Sequence, residues 1–201
     1  MLRKIAAVGL LCCSVLAHGE LNYESVSPPQ PVQKPDKVEV IEFFWYGCPH
    51  CYSLEPEMNK WLAKKPENVN FIRQPAVFSD LWAKHAKAFF TAEALGIVEK
   101  VHADLFDAIQ NKKQKLATED ELAKFFVTHG VKDEDFRAAY HSFLVDAKMR
   151  QAETMAARYG ITGVPALIVN GKYRVTATTA KSQENMLSVT DQLIQQESQA
   201  K

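Results

Sequence analysis

The run Val38 to Tyr46 is rich in β-branched and aromatic residues and carries apolar groups on both alternating faces. That pattern constrains the fold more than any other stretch, because such a strand has no face to offer water and must lie inside a covered sheet. Gly47 ends it, and Cys48-Pro49-His50-Cys51 follows at once. Pro49 suits the first turn of a helix, where its missing N–H costs nothing, so a helix is predicted from there to about Lys65, kinked at Pro56. Cys51, Leu54, Met58, Trp61 and Leu62 fall on one face of it. Cys51 is thereby turned to the core, while Cys48 is expected at the exposed mouth of the helix.

A second strand is predicted at Val69 to Gln74, followed by a long helical stretch. Its apolar sets are Leu81/His85/Ala88/Phe89/Ala92, Val98/Val101/Leu105/Ile109 and Leu122/Phe125/Phe126, with Thr118 and Glu121 as a capping box for the last. Asp133 to Tyr159 reads as helical too, with Phe136, Tyr140, Phe143, Leu144 and Ala147 on one face and a bend expected from its length. Gly160 ends it. Pro165 to Val169 and Lys172 to Thr176 flank Asn170-Gly171, a two-residue hairpin signal, and a helix from about Ala180 to Gln196 closes the chain. The fold class is therefore α/β, a small sheet domain over residues 38–76 and 148–198 interrupted by a helical insertion at 77–147. Residues 20–37, with Pro28, Pro29, Pro31 and Pro35, read as an extended N-terminal arm without a core of its own.

Residues 1–19 have the three-part layout of a cleavable secretory signal: Arg3 and Lys4, the apolar run Ile5 to Leu16, then Ala17-His18-Gly19. The apolar run is about 12 residues, short of the roughly 20 that span a bilayer; an uncleaved anchor is the alternative. Removal of the signal takes Cys12 and Cys13 with it and leaves Cys48 and Cys51 alone in an exported, soluble chain. Twenty-four basic residues balance 24 acidic ones, and no basic stripe points to nucleic acid or an anionic membrane as partner.

A lone close cysteine pair in an oxidising compartment points to redox chemistry. As a staple it would close a loop of about four residues and stabilise the fold by only roughly 2 kcal/mol. As half of a zinc site it would need two further ligands; His50 is too close to complete a tetrahedron, and His85, His102, His129 and His141 are expected to be solvated, so no metal is assigned. At a helix start, free N–H groups and the helix dipole stabilise an anion, so Cys48 is expected as a thiolate near neutral pH. Such thiols have pKa values of about 3.5 to 7.5. With a value of about 4.5, proton release at pH 7 would favour the reduced form by about 3.4 kcal/mol, or about 70 mV in a two-electron couple. The disulfide would then be an oxidant, with Cys48 exchanging with substrate and Cys51 resolving. His50, if protonated, lowers the Cys48 pKa further; otherwise it is a spectator.

Glu42, an acid inside the first strand, is costly to bury. It is either a carboxylate at the strand edge paired to a base such as Arg73, or a proton acceptor tuning the neighbourhood of Cys51. Val164-Pro165 opens the third strand; a cis bond and a trans proline ending the Gly160 to Gly163 turn are both compatible with the sequence.

Phe44-Trp45-Tyr46-Gly47-Cys48-Pro49-His50-Cys51 with Gly163-Val164-Pro165 resembles the thioredoxin superfamily. Ile41-Glu42-Phe43-Phe44, Cys48 to Tyr52, Val164-Pro165-Ala166 and Val169-Asn170-Gly171-Lys172-Tyr173, with the helical insertion, resemble the DsbA-type periplasmic thiol:disulfide oxidases across nearly all of residues 38–198. A low cysteine pKa is a known property of that type, so the expectation for Cys48 is not independent of the resemblance. The resemblance implies a thioredoxin fold with an inserted all-helical domain, a cis-Pro165 loop beside the dithiol, and substrate binding at Val164 and Pro165. Catalytic roles fall to Cys48, Cys51, His50, Pro49, Pro165 and Glu42. It implies no cofactor beyond the Cys48–Cys51 disulfide. The partners it implies are reduced, unfolded exported proteins and a quinone-linked inner-membrane oxidase of the DsbB type. The chain is read as a periplasmic monomer. A reductase or isomerase of the same fold is the nearest rival, though residues 20–37 cannot supply a dimerisation domain; a non-catalytic holdase is the other, and it would keep its function with Cys48 changed to Ser.

Overall fold

The computed structural model of the chain describes residues 22–200. The segment read as a signal, with Cys12 and Cys13, lies outside the described residues, as do the first two residues of the arm. The elements run β1 (Glu24–Ser25), β2 (Val38–Phe44), α1 (Pro49–Leu62), β3 (Val69–Pro75), α2 (Asp80–Ala94), α3 (Val98–Gln110), α4 (Glu119–Thr128), α5 (Asp133–Tyr140), α6 (Phe143–Arg158), β4 (Ala166–Val169), β5 (Tyr173–Thr176) and α7 (Asn185–Gln199). The strands form one sheet in the order β1-β5-β4-β2-β3. Only β2 and β3 are parallel, and α1 provides the crossover that a parallel pair requires.

All seven residues of β2 are buried, as its two-sided apolar pattern predicts. Val38 and Val40 pack with Leu54 and Met58 of α1 and with Val189 and Leu193 of α7. On the opposite face, Ile41 and Phe43 pack with Met155, Ala156 and Tyr159 of α6. A third cluster joins α2 to α6 through Phe89, Leu105, Phe106, Phe126 and Phe136, and it reaches the sheet at Phe44 and Tyr46. Cys48 and Cys51 belong to that third cluster, so the dithiol sits where the helical segment meets the sheet. No helix among the described residues is long and apolar enough to cross a membrane.

Two local features match the sequence closely. Thr118 and Glu121 form the reciprocal capping box of α4. Asn170 and Gly171 both take positive φ, 51° and 68°, as a two-residue hairpin turn requires. A Cβ at Gly171 would also collide with the backbone carbonyl of Gln30.

That contact involves the Pro-rich segment. Read as an extended arm without a core of its own, the segment also adds an edge strand that the sequence did not show: β1 pairs with β5, Val26 is buried, and the Gln30 N–H donates to Gly171 O at 2.9 Å. Composition hid this, because two strand residues at a sheet edge leave almost no periodicity to read. A correction concerns residues 133–159, which form two helices instead of one bent helix. Ser142 caps α6 by accepting from the Val145 N–H, and the restart shifts the helical phase. Val145 turns inward, while Phe143, expected on the buried face, is 82% exposed and Leu144 is also exposed. The division drawn at residues 147 and 148 falls inside α6. Helix α1 ends at Leu62, and α7 starts at Asn185 instead of Ala180.

Candidate active site

Cys48 is the N-cap of α1 and Pro49 its first residue, so the local sequence itself presents a sulfur to unpaired helix N–H groups. Cys48 Sγ accepts from the Cys51 N–H at 3.4 Å. The Cys48 N–H donates to Trp45 O at 2.9 Å, which holds the strand-to-helix turn closed. The cis Val164–Pro165 bond, one of the two readings open from sequence, occurs in the loop whose Val164 carbonyl lies 3.4 Å from Cys48 Sγ. Both thiols are unbonded in this structure. Pro49 and His50 are exposed and Pro165 is buried. Cys48, expected at an exposed mouth, is only 7% accessible, and Cys51 is fully buried. The Val164 loop, far away in sequence, covers the mouth.

The two sulfurs differ in chemistry as well as position. Cys48 is lowered from 9.0 to about 6, first by the hydrogen bond from the Cys51 thiol and then, against the cost of burial, by the Cys51 and His50 N–H groups and the His50 charge. His50 therefore helps, but its charge is the least of these causes. Cys51 is pushed far above its ordinary value, first by burial, then by Cys48, with the Glu42 charge adding to the effect.

Glu42 is completely buried, and not at a strand edge: β2 lies between β3 and β4. It stands opposite Arg73 in the parallel register, with 3.5 Å between Oε2 and Arg73 Nε. Burial first, and then the charge of Glu55, push Glu42 up to about 8 against the pull of Arg73. The pairing to Arg73 is present without the strand edge, and the Glu42 charge is felt at Cys51. Sequence reasoning missed the rest of this chamber. Glu55 of α1 is buried 3.7 Å from Arg73, and His102 of α3 is buried 3.4 Å from Glu55. His85 and His102, expected to be solvated, are among the most buried polar residues. Their i, i+3 and i+4 neighbours on α2 and α3 are apolar, which was the available signal.

A profile of the DSBA-like thioredoxin domain family matches residues 82–190. The thiol:disulfide interchange protein DsbA of Azotobacter vinelandii is 49% identical over 170 residues, 85% of this chain and 79% of that one. The chain belongs to the DsbA family. DsbA of Pseudomonas aeruginosa strain PAO1 is 43% identical over 175 residues, 87% of this chain and 83% of its own. A crystal structure of P. aeruginosa DsbA superposes with a TM-score of 0.85 at 43% identity, covering 89% of this chain and 93% of that one. Proteus mirabilis DsbA, solved with a non-covalently bound peptide, gives a TM-score of 0.72 at 30% identity, with coverages of 87% and 94%. The protein is a thiol:disulfide oxidoreductase with the thioredoxin fold and the oxidase role of DsbA.

The rim of this DsbA site has two unlike walls. One is a cleft of about 450 Å³ bordered by His50, Gly163, Val164, Pro165, Thr178 and Gln183. Gln183 ties it to the motif by donating to His50 O at 3.0 Å and Ser53 Oγ at 2.9 Å. The other is aromatic: Trp45 stacks on Trp82 with 4.2 Å between ring centroids, and the exposed Phe78 leans on Trp82. Trp45 Nε1 donates to His85 Nδ1 at 3.0 Å, so the His85 proton sits on Nε2 and is given to Lys115 O. A larger depression of about 670 Å³ between α1 and α7 contains none of the site residues.

Proposed function

We propose that the protein donates its Cys48–Cys51 disulfide to reduced, unfolded exported proteins in the periplasm, acting as a monomer after residues 1–19 are removed. The observation that carries this reading is the asymmetry of the pair, a rim thiol lowered to about 6 beside a buried thiol raised far above its usual value. The leaving tendency of a thiolate rises as its pKa falls, and the thiolate is the reactive form. A substrate thiolate attacks Cys48 Sγ, the Cys48–Cys51 bond breaks, and the electron pair leaves on Cys51.

A thiolate at the Cys51 position is strongly disfavoured by burial and takes a proton. Glu42, protonated below about 8, supplies it and regains one from solvent later; the same carboxylate takes the Cys51 proton when the pair is re-oxidised. A group whose pKa lies near the working pH serves both directions. The second substrate thiolate then attacks the substrate sulfur of the mixed disulfide and expels Cys48 as a thiolate. Two electrons have passed from the substrate dithiol to the cysteine pair, with no cofactor other than that pair. A quinone-linked inner-membrane oxidase of the DsbB type removes them. Val164 and Pro165 border the cleft and offer backbone groups to an extended peptide, a reading supported by the peptide bound to the Proteus relative.

A Cys48 value of about 6 sets the size of the driving force. One unit below pH 7 is worth about 1.4 kcal/mol, or about 30 mV, less than half of what a pKa of about 4.5 would provide. The test is a thiolate titration by ultraviolet absorbance together with equilibration against glutathione. The expected midpoint is about 6, with a potential more oxidising than the roughly −270 mV of thioredoxin. A midpoint left at the ordinary thiol value, with a thioredoxin-like potential, would assign a reductase.

A further inference from the structure

The chamber behind Cys51 holds two carboxylates and one fixed cation. Arg73 lies 3.5 Å from Glu42 and 3.7 Å from Glu55, and its one charge cannot offset two buried anions at low cost. Which acid keeps the proton depends on other donors. Both Glu42 oxygens lack a well-aligned hydrogen-bond partner, as do Glu55 Oε1 and His102 Nε2, which stand 3.4 Å apart. Glu55 differs in receiving Asn59 Nδ2 at 3.5 Å on its other oxygen and in having that imidazole nitrogen beside it.

The hydrogen positions on His102 follow from its neighbours. The ring is boxed by Phe44, Phe89 and Phe106, and burial holds it in the neutral form. An ionised carboxylate only accepts, so the single ring hydrogen belongs on Nε2, toward Glu55. Nδ1 is then bare and accepts the Tyr46 hydroxyl at 2.7 Å. The hydrogens point one way, from Tyr46 to His102 through a hydrogen bond and from His102 toward Glu55 across a looser 3.4 Å contact. The other charges facing this ring are Arg73 on β3 and Glu99 on its own helix, and Glu99 meets Arg73 at 3.9 Å.

We propose that His102, held by Tyr46, is a positioning residue that keeps the negative charge on Glu55 and thereby the proton on Glu42. It is a contribution of the helical segment to the dithiol chemistry, and it rests on the reading of Glu42 as the proton store for Cys51. Removing the donor lets the proton spread onto Glu55 and makes Glu42 more acidic.

The experiment titrates the Glu42 carboxyl by carbon-13 NMR in the full chain, with Glu42→Gln as the assignment control, alongside the pH profile of Cys51-dependent resolution of a mixed disulfide with glutathione. In His102→Leu the Glu42 midpoint falls by about one unit, a tenfold change in its protonation constant, and the resolution profile moves with it. His102→Gln, which restores an N–H donor, recovers part of the shift. Tyr46→Phe, which deletes one hydroxyl, gives a smaller shift in the same direction. In all three, the Cys48 titration stays in place. A merely structural His102 would lower thermal stability and leave the Glu42 midpoint where it is; an unmoved midpoint in both His102→Leu and Tyr46→Phe overturns the assignment. A moved midpoint with an unmoved resolution profile supports the assignment and removes Glu42 from the chemistry at Cys51.

Discussion

Cys48 and Cys51 sit within one turn of the same helix, yet they occupy two different solvents. Around Cys48 the chain provides the Cys51 thiol as a hydrogen-bond donor and then the N–H groups of the helix start, and the sulfur is held near 6. Around Cys51 it provides full burial and a chamber of shared charges, and the thiol is held in its protonated form. The difference teaches that the redox bias lies in the contrast between two environments three residues apart. A helix start supplies donors to its cap and none to the residue one turn on.

The largest expected effect comes from erasing one side of the contrast. Cys48→Ser and Cys51→Ser both lose dithiol oxidation of a fluorescent model peptide. Offered oxidised glutathione, Cys51→Ser exchanges once, releasing one glutathione thiol and keeping a mixed disulfide at Cys48 visible by mass spectrometry, whereas Cys48→Ser does not. Equal behaviour of the two variants toward oxidised glutathione would remove the distinction between exchanging and resolving sulfur.

Next is the chamber. Arg73→Met leaves Glu55 and Glu42 without their cation, and breaking a buried pair in this way costs about 3–5 kcal/mol, to be read from urea unfolding. A loss below about 1 kcal/mol, the range of exposed pairs, would mean that water reaches the chamber.

The rim predicts a pH dependence of the reduced protein. Its Cys48 ionises near 6 when folded and at the ordinary 9.0 when unfolded. The depressed value therefore stabilises the reduced fold fully above 9.0, and that stabilisation is lost as pH falls through about 6. At pH 7 it amounts to at most about 1.4 kcal/mol, since solvent at the rim screens part of it. Urea unfolding of reduced and oxidised protein between pH 5 and pH 9, conditions spanning that window, should show the gap grow with pH; a constant gap contradicts it. The smallest effect is the control. Thr118→Ala removes the capping box of α4, which contributes no group to either environment, at about 1 kcal/mol and with peptide oxidation unchanged.

Local chemistry was legible in the linear chain wherever a signal fits inside one turn or one strand. The buried strand, the cysteine pair at a helix start, the capping box and the Asn170-Gly171 hairpin are of this kind. Phe143 and Leu144 were misread because a single serine cap reset the helical phase, and periodicity assumes an unbroken helix. The edge strand in the Pro-rich segment was missed because two strand residues leave no pattern.

By itself the sequence determined the α/β class, the position of the dithiol at the N-terminus of α1 and the inward direction of Cys51, all consequences of backbone geometry and side-chain periodicity. Only the tertiary structure decided that the Val164 loop covers Cys48, that Glu42 shares Arg73 with Glu55, and that His102 of α3 reaches Glu55. Those contacts join residues far apart in the chain. No local propensity encodes them, because charge states in a buried chamber depend on what folding brings together and on the water it removes.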